Sequence, residues 1–312
     1  GIGLWAGQVM LSGNYNYQKM DWSHGPIGAE QFNHLGNLVT HITSPTITIG
    51  LSDYLNISYQ QTIGVRSMDW MGDQESDHHR DENSLQDFVN AIGSAFGDSR
   101  INLKYLITNT GMDPGSRIFL GMGLTIPSNS ILTQSPFLNN DDDTTLEEHR
   151  HFSLSDGAHK ANIELQYYIK NNAKSIFMPA FYGLTANYMK PLNESKYGYK
   201  PSTLYSGVGS CLFSTKLKAI WAPKGISLGL AYIKTEKAYW DEIEAPNSES
   251  ETFLPSLGMI WSHKDYGSLS LNLKYIQNAA ISEAAVDNKS TAFEISFGYR
   301  KTLNYTIPWL YY

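Results

Sequence analysis

Leu55-Asn56-Ile57-Ser58-Tyr59-Gln60-Gln61-Thr62-Ile63-Gly64-Val65-Arg66 sets apolar residues at 55, 57, 59, 63 and 65 against polar ones at 56, 58, 60, 62 and 66. Successive side chains of an extended strand point to opposite faces, so this run has one apolar face and one polar face. The same period of two appears upstream, where Val9, Leu11, Tyr15 and Tyr17 share a face with Gly13 and oppose Ser12, Asn14, Asn16 and Gln18. Downstream, Ile101, Leu103, Tyr105 and Ile107 alternate with Arg100, Asn102, Lys104 and Thr108. Ile118, Leu120, Met122 and Leu124 then alternate with Arg117, Phe119, Gly121 and Gly123. Further runs set Ile163, Leu165 and Tyr167 against Asn162, Glu164 and Gln166, and Leu269, Leu271, Leu273 and Tyr275 against Ser268, Ser270, Asn272 and Lys274. The last sets Phe293, Ile295, Phe297 and Tyr299 against Glu294, Ser296, Gly298 and Arg300. Weaker strands are expected around 37–51, 175–189, 202–222, 226–235 and 252–261, which makes twelve.

Alternation of this kind suits a wall with lipid on one side and water on the other. The connections support it, because they alternate in length. Short ones fall at Ser52–Tyr54, Asn109–Gly115, Lys170–Ala173, Ala222–Gly225 and Ser262–Gly267, and long ones at 18–35, 67–97, 127–157, 190–201, 236–251 and 277–289. A chain whose first strand rises from the periplasm puts every long loop outside and both termini in the periplasm. The expectation is an all-β, single antiparallel up-and-down transmembrane β-barrel of about twelve strands. It spans 1–302, followed by a periplasmic tail over 303–312, in the bacterial outer membrane. A soluble sandwich also alternates, but it would not sort its loops by length onto one end or turn twelve apolar faces outward. Trp5, Tyr54, Trp70, Tyr188, Trp221, Trp240, Trp261 and Tyr299 lie near the expected strand ends, where interfacial aromatic girdles sit.

Composition agrees. Of 312 residues 41% are hydrophobic, yet no stretch approaches the roughly eighteen apolar residues of a membrane-spanning helix. Cys211 stands alone and excludes an internal disulfide. No charged-apolar-small leader opens the chain, so the barrel reading expects a processed, mature protein. The net charge of -7 is uneven: segments 73–87 and 141–156 hold 12 of the 30 acids and 2 of the 23 bases, leaving 18 acids against 21 bases elsewhere. The acid belongs to loops. No dense basic stripe exists to neutralise phosphates, which excludes nucleic acid as a partner.

Gly97-Asp98-Ser99-Arg100-Ile101-Asn102-Leu103-Lys104-Tyr105 and Gly121-Met122-Gly123-Leu124-Thr125-Ile126-Pro127 give the chain a family likeness. It resembles the outer-membrane barrels described as transporters of the phenol-degradation meta-pathway type, which carry a Gly-Asp-led strand, a hairpin and a strand closing in Gly-x-Gly-x-x-x-Pro. Gly50-Leu51-Ser52-Asp53-Tyr54-Leu55 and Phe297-Gly298-Tyr299-Arg300 are similar to further family features. The chain departs from the family at Ser128-Asn129, where Thr-Gly is usual, and in the extension from Lys301 to Tyr312. The resemblance implies a pore for small molecules, aromatic ones among them.

The polar faces assign Arg66, Arg100, Lys104, Arg117, Lys160, Lys274 and Arg300 to the lumen against Glu164 and Glu294, a net positive interior that favours anions. Cross-strand pairing that plugs the barrel is the competing reading of the same charges. Phe177, Pro179 and Phe181 are expected to add an apolar patch on the inner face of strand seven. Metal candidates are Asp77, His78, His79 and Asp81 in one loop and Asp141, Asp142 and Asp143 in another, none at diagnostic spacing. No cofactor is implied: Gly121-Met122-Gly123 has Ile126 where a dinucleotide fingerprint needs its third glycine. The function expected is an outer-membrane channel, porin-like, for small solutes. The rivals are a surface scaffold docking a partner protein through its acidic extracellular loops and an outer-membrane lipid hydrolase, for which the chain lacks a His-x-Ser-Asn-Gly run. Lipid around the wall and a small solute within it are the expected partners.

Overall fold

A chain with this alternation satisfies its backbone hydrogen bonds in an apolar medium only by closing its sheet on itself. The computed structural model shows that closure; it describes residues 3–26, 31–76, 79, 81–86, 94–111, 114–135, 153–219, 221–245, 248–279 and 289–310. Twelve antiparallel strands form the wall. They are β1 (Gln8–His24), β2 (His34–Thr43 and Thr46–Gly50), β3 (Leu55–Trp70), β4 (Phe96–Asn109), β5 (Gly115–Ile126) and β6 (Lys160–Lys170). The second half is β7 (Phe181–Pro191), β8 (Leu204–Ser214), β9 (Gly225–Thr235), β10 (Ser250–His263), β11 (Gly267–Ala279) and β12 (Lys289–Thr306). β12 pairs back onto β1, from Gln8 opposite Thr306 to Ser23 opposite Lys289, so no edge strand is left open.

β2 is interrupted at Ser44–Pro45 because Pro45 has no N–H to give. The ladder survives the break: the Ser44 N–H donates to the Asn14 carbonyl at 2.8 Å and the Pro45 carbonyl accepts from the Gln61 N–H at 3.1 Å. A second irregularity lies in β4, where Gly97 and Asp98 together oppose Thr62, between the pairs Gln61–Ser99 and Ile63–Phe96. Two residues against one is a β-bulge, and it re-aims the Asp98 side chain into the barrel.

The outer face is apolar around the whole circumference. Tyr105 is 52% exposed, Leu230 54% and Phe297 53%, far more exposed apolar surface than a water-facing protein carries. Lipid buries it. Inside, polar side chains lie over small ones: a Cβ on Gly123 would meet the Asn102 and Asn162 carboxamides at 2.1 and 2.2 Å. The apolar core is correspondingly small, a cluster of Leu254, Ile276 and Ala292 on the inner wall and another of Ala238, Trp240 and Ala245 among the loops.

Several boundaries differ from those read in the sequence. The tail expected from residue 303 begins later, because β12 runs to Thr306 and the Ile307 N–H still donates to the Gly7 carbonyl at 2.8 Å. β7 starts at Phe181, so the stretch 175–180 is a turn. There the Ser175 hydroxyl accepts from the Phe177 N–H at 3.2 Å, a local bond that competes with the ladder. β8 likewise ends at Ser214 and β9 begins at Gly225, with Trp221 between them at 83% exposure. Of the expected girdle, Trp70 instead faces inward with the face of Met68, and Trp240 is buried against Tyr199 and Leu132 among the loops. Aromatic pairs do line the outer face at the loop end, with Tyr188 on Tyr205 at 5.2 Å and Tyr232 on Phe253 at 5.1 Å.

Candidate functional site: the inner wall

The alternation that faces lipid outward puts every second side chain into the lumen. Arg66, Arg100, Lys104, Arg117, Lys160, Glu164, Lys274, Glu294, Arg300 and Phe181 all sit on inward positions of their strands. Phe177 does not: it lies in the turn before β7 and is 85% exposed, because Ser175 and Pro179 end the extended backbone around it. Pro179 lies in the same turn.

Several of the cations are matched. Lys274 Nζ donates to Glu294 Oε1 at 2.6 Å, and the Ser296 hydroxyl donates to the same oxygen at 2.8 Å. Lys104 Nζ donates to Gln166 Oε1 at 2.9 Å and stands 3.8 Å from Glu164, whose Oε1 accepts from Gln166 Nε2 at 2.6 Å. Lys160 lies between Asp98, at 3.9 Å, and Asp156, to which it donates. Arg100 and Arg300 are exposed to the lumen with no carboxylate in ion-pair range among the described residues, and Arg117 donates to the Asn109 side chain at 3.3 Å. Among the described residues the interior is therefore partly ion-paired, with Arg100, Arg117 and Arg300 lacking a carboxylate partner.

Two chain segments enter the barrel that the period-two pattern does not reveal. Near the loop end, residues 153–158 lie against the inner wall: Arg66 Nη1 donates to the Ser153 carbonyl at 3.0 Å, and the Ser155 N–H to the Ser130 carbonyl at 3.0 Å. Gly97 gives this segment room, since a Cβ there would stand 2.9 Å from the Leu154 carbonyl oxygen. Under it remains a cavity of about 160 Å³ lined by Gln60, Thr62, Asp98, Arg100, Thr125, Leu154 and Lys160. At the turn end, Gly3 and Leu4 fold inward, where the Leu4 N–H donates to Asn56 Oδ1 at 2.9 Å and Asn56 Nδ2 returns a bond to the Leu4 carbonyl at 3.1 Å. A Cβ on Gly3 would stand 3.2 Å from the Phe119 ring. Phe119 is 2% exposed and meets Tyr168 edge-on at 6.2 Å; Tyr168 in turn stacks on Phe181 at 5.4 Å. The expected Phe177–Pro179–Phe181 patch does not form; Phe181 instead joins Tyr168 and Phe119 in an inner aromatic cluster.

Above the wall, Tyr199–Lys200, Tyr239–Trp240 and Ile243–Glu244 form a small three-stranded sheet that joins two loops. Burial there pushes the Tyr199 phenol up from its ordinary range, with Asp156 adding to the shift. Of the metal candidates, Asp77, His78, Asp141, Asp142 and Asp143 lie outside the described residues. Asp81 accepts from the Trp70 N–H at 2.9 Å and so caps the end of β3. His79 reaches the inner wall, its Nε2 standing 3.1 Å from Nε2 of His24. His159, exposed ahead of β6, donates its backbone N–H to Asn193 Oδ1 at 2.9 Å.

No family model matches the chain, and no curated protein matches it. Among solved structures, an outer-membrane channel from Pseudomonas putida F1 superposes with a TM-score of 0.61 at 13% identity, over 96% of this chain and 97% of that one. The CymD monoaromatic hydrocarbon channel gives 0.44 at 8% identity, over 95% and 88%, and the KdgM porin in complex with disordered oligogalacturonate 0.42 at 8%, over 92% and 98%. The first likeness is one of fold, and the two lower scores add nothing to it. The chain folds as an outer-membrane β-barrel.

Proposed function

We propose that this protein is an outer-membrane channel through which small solutes diffuse passively, with anions favoured and aromatic anions such as benzoate or phenolates among them. The observation that carries the reading is the imbalance on the inner wall. Lys104, Lys160 and Lys274 are met by Glu164, Asp98, Asp156 and Glu294, while Arg100, Arg117 and Arg300 have no carboxylate in ion-pair range among the described residues. Arg117 lies near the turn end of β5, and Arg100 borders the cavity under the 153–158 segment. A permeating anion meets such a charge between low-dielectric walls that focus its field.

The partly exposed rings of Tyr168 and Phe181 give an aromatic solute something to slide along, with Phe119 buried against Tyr168. The sequence likeness to phenol-pathway transporters and the channel activity named for the Pseudomonas barrel agree with this use. Liposome swelling compares the alternatives directly, with benzoate, benzyl alcohol and benzylamine as solutes of similar size. Benzoate entering fastest supports the reading. Equal rates for all three, or no swelling from folded protein, contradict it.

A further inference from the structure

His24 and His34 are directly opposed on the last rung of the β1–β2 ladder, both on its inward face. His79 is brought to them by the loop after β3, which is held back against the wall where Glu82–Asn83 pairs with Ser67 and Met68. The candidate ligand atoms of the three imidazoles all lie within 4.8 Å of one another. Sequence spacing hides this convergence, because His24, His34 and His79 come from three segments.

We propose that His24, His34 and His79 form a binding site for a divalent transition-metal ion of the zinc or copper kind. Tetrahedral zinc with Zn–N bonds of 2.0–2.1 Å sets nitrogen–nitrogen separations of about 3.3 Å. The His24 and His79 Nε2 atoms already stand at 3.1 Å, and a modest rotation brings in His34. The tautomer is prepared as well. His24 Nδ1 lies 2.7 Å from the Gly25 carbonyl, which takes its N–H and leaves Nε2 with a lone pair facing the cluster.

The walls are aromatic. Trp22 stacks on His24 and Trp70 on His79, each at 5.6 Å with the ring planes within 15° of parallel. Imidazole nitrogen suits zinc, copper or nickel, and the absence of a carboxylate from the set disfavours calcium and magnesium. Three protein ligands leave a fourth position for water. Coordination would fasten the loop after β3 onto the β1–β2 hairpin at the mouth of the lumen, and this holds whether or not the barrel conducts.

The competing reading is an aromatic box in which the imidazoles serve only as rings. Calorimetric titration of the untagged, full-length, detergent-folded protein with ZnCl2 separates the two. One ion per chain is expected, with affinity at least tenfold weaker in His79→Ala and in His34→Ala. His41→Ala, on the outer face, should keep it. Heat-modifiable migration in gels confirms that each variant is folded, and His79→Ala, a loop change, protects the test against loss of folding in His34→Ala. No zinc uptake by folded wild-type protein overturns the proposal, as does uptake undiminished in both folded variants.

Discussion

Gly64 shows how narrowly single positions are set in this wall. A Cβ there would stand 2.0 Å from the His41 carbonyl oxygen and 2.9 Å from Ile42 Cα, both backbone atoms of the neighbouring strand. Nothing flexible can yield, so Gly64→Ala should lower folding stability by about 1–3 kcal/mol. Gly207→Ala, with nothing within 4 Å of the new methyl, should cost far less. Urea titration of both variants in lipid vesicles measures the difference. Charge gives a second residue-scale prediction. Glu294 holds Lys274 at 2.6 Å, so Glu294→Gln frees a lumen cation and should raise anion preference. Arg300→Gln should lower it. Reversal potentials across a salt gradient report both signs, and changes in the same direction would sink the assignment.

At the scale of elements, the strands were legible in the sequence wherever alternation was strict, as in β3, β4, β6 and β11. The reason is physical: a lipid-facing wall tolerates few departures on its outer face. Legibility failed where apolar residues serve interfaces instead of strands. Ile176, Phe177 and Met178 look like strand, yet Ser175 and Pro179 make them a turn. The paired Gly97-Asp98 and the Gly121-Met122-Gly123 run were visible as a likeness only, and the structure supplies their causes. The first is a bulge aiming Asp98 at Lys160, and the second clears space for Glu164, Asn102 and Asn162.

Most hidden were the inserted segments, since packing into a lumen leaves no periodic signature. Gly3–Leu4 is such a segment, and Asn56 secures it with two buried hydrogen bonds. Asn56→Ala leaves the Leu4 backbone groups without those partners, at a cost of about 1–3 kcal/mol, enough to release the segment. Single-channel conductance should then rise; an unchanged value would show that these residues do not narrow the path.

For the whole molecule, the division of charge is the organising fact. A net charge of -7 coexists with a lumen rich in cations, because 12 of the 30 acids are concentrated in the sequence stretches 73–87 and 141–156, between β3 and β4 and between β5 and β6. The apolar exterior and closed ladder make the barrel stable in lipid, and under the proposed function Arg100, Arg117 and Arg300, with no carboxylate in ion-pair range among the described residues, give its interior a positive sign. Conductance of the purified, folded protein in planar bilayers under a tenfold KCl gradient tests that account most directly. Discrete current steps with a reversal potential toward the chloride equilibrium value are predicted. A silent bilayer, or a reversal potential toward that of potassium, would contradict it.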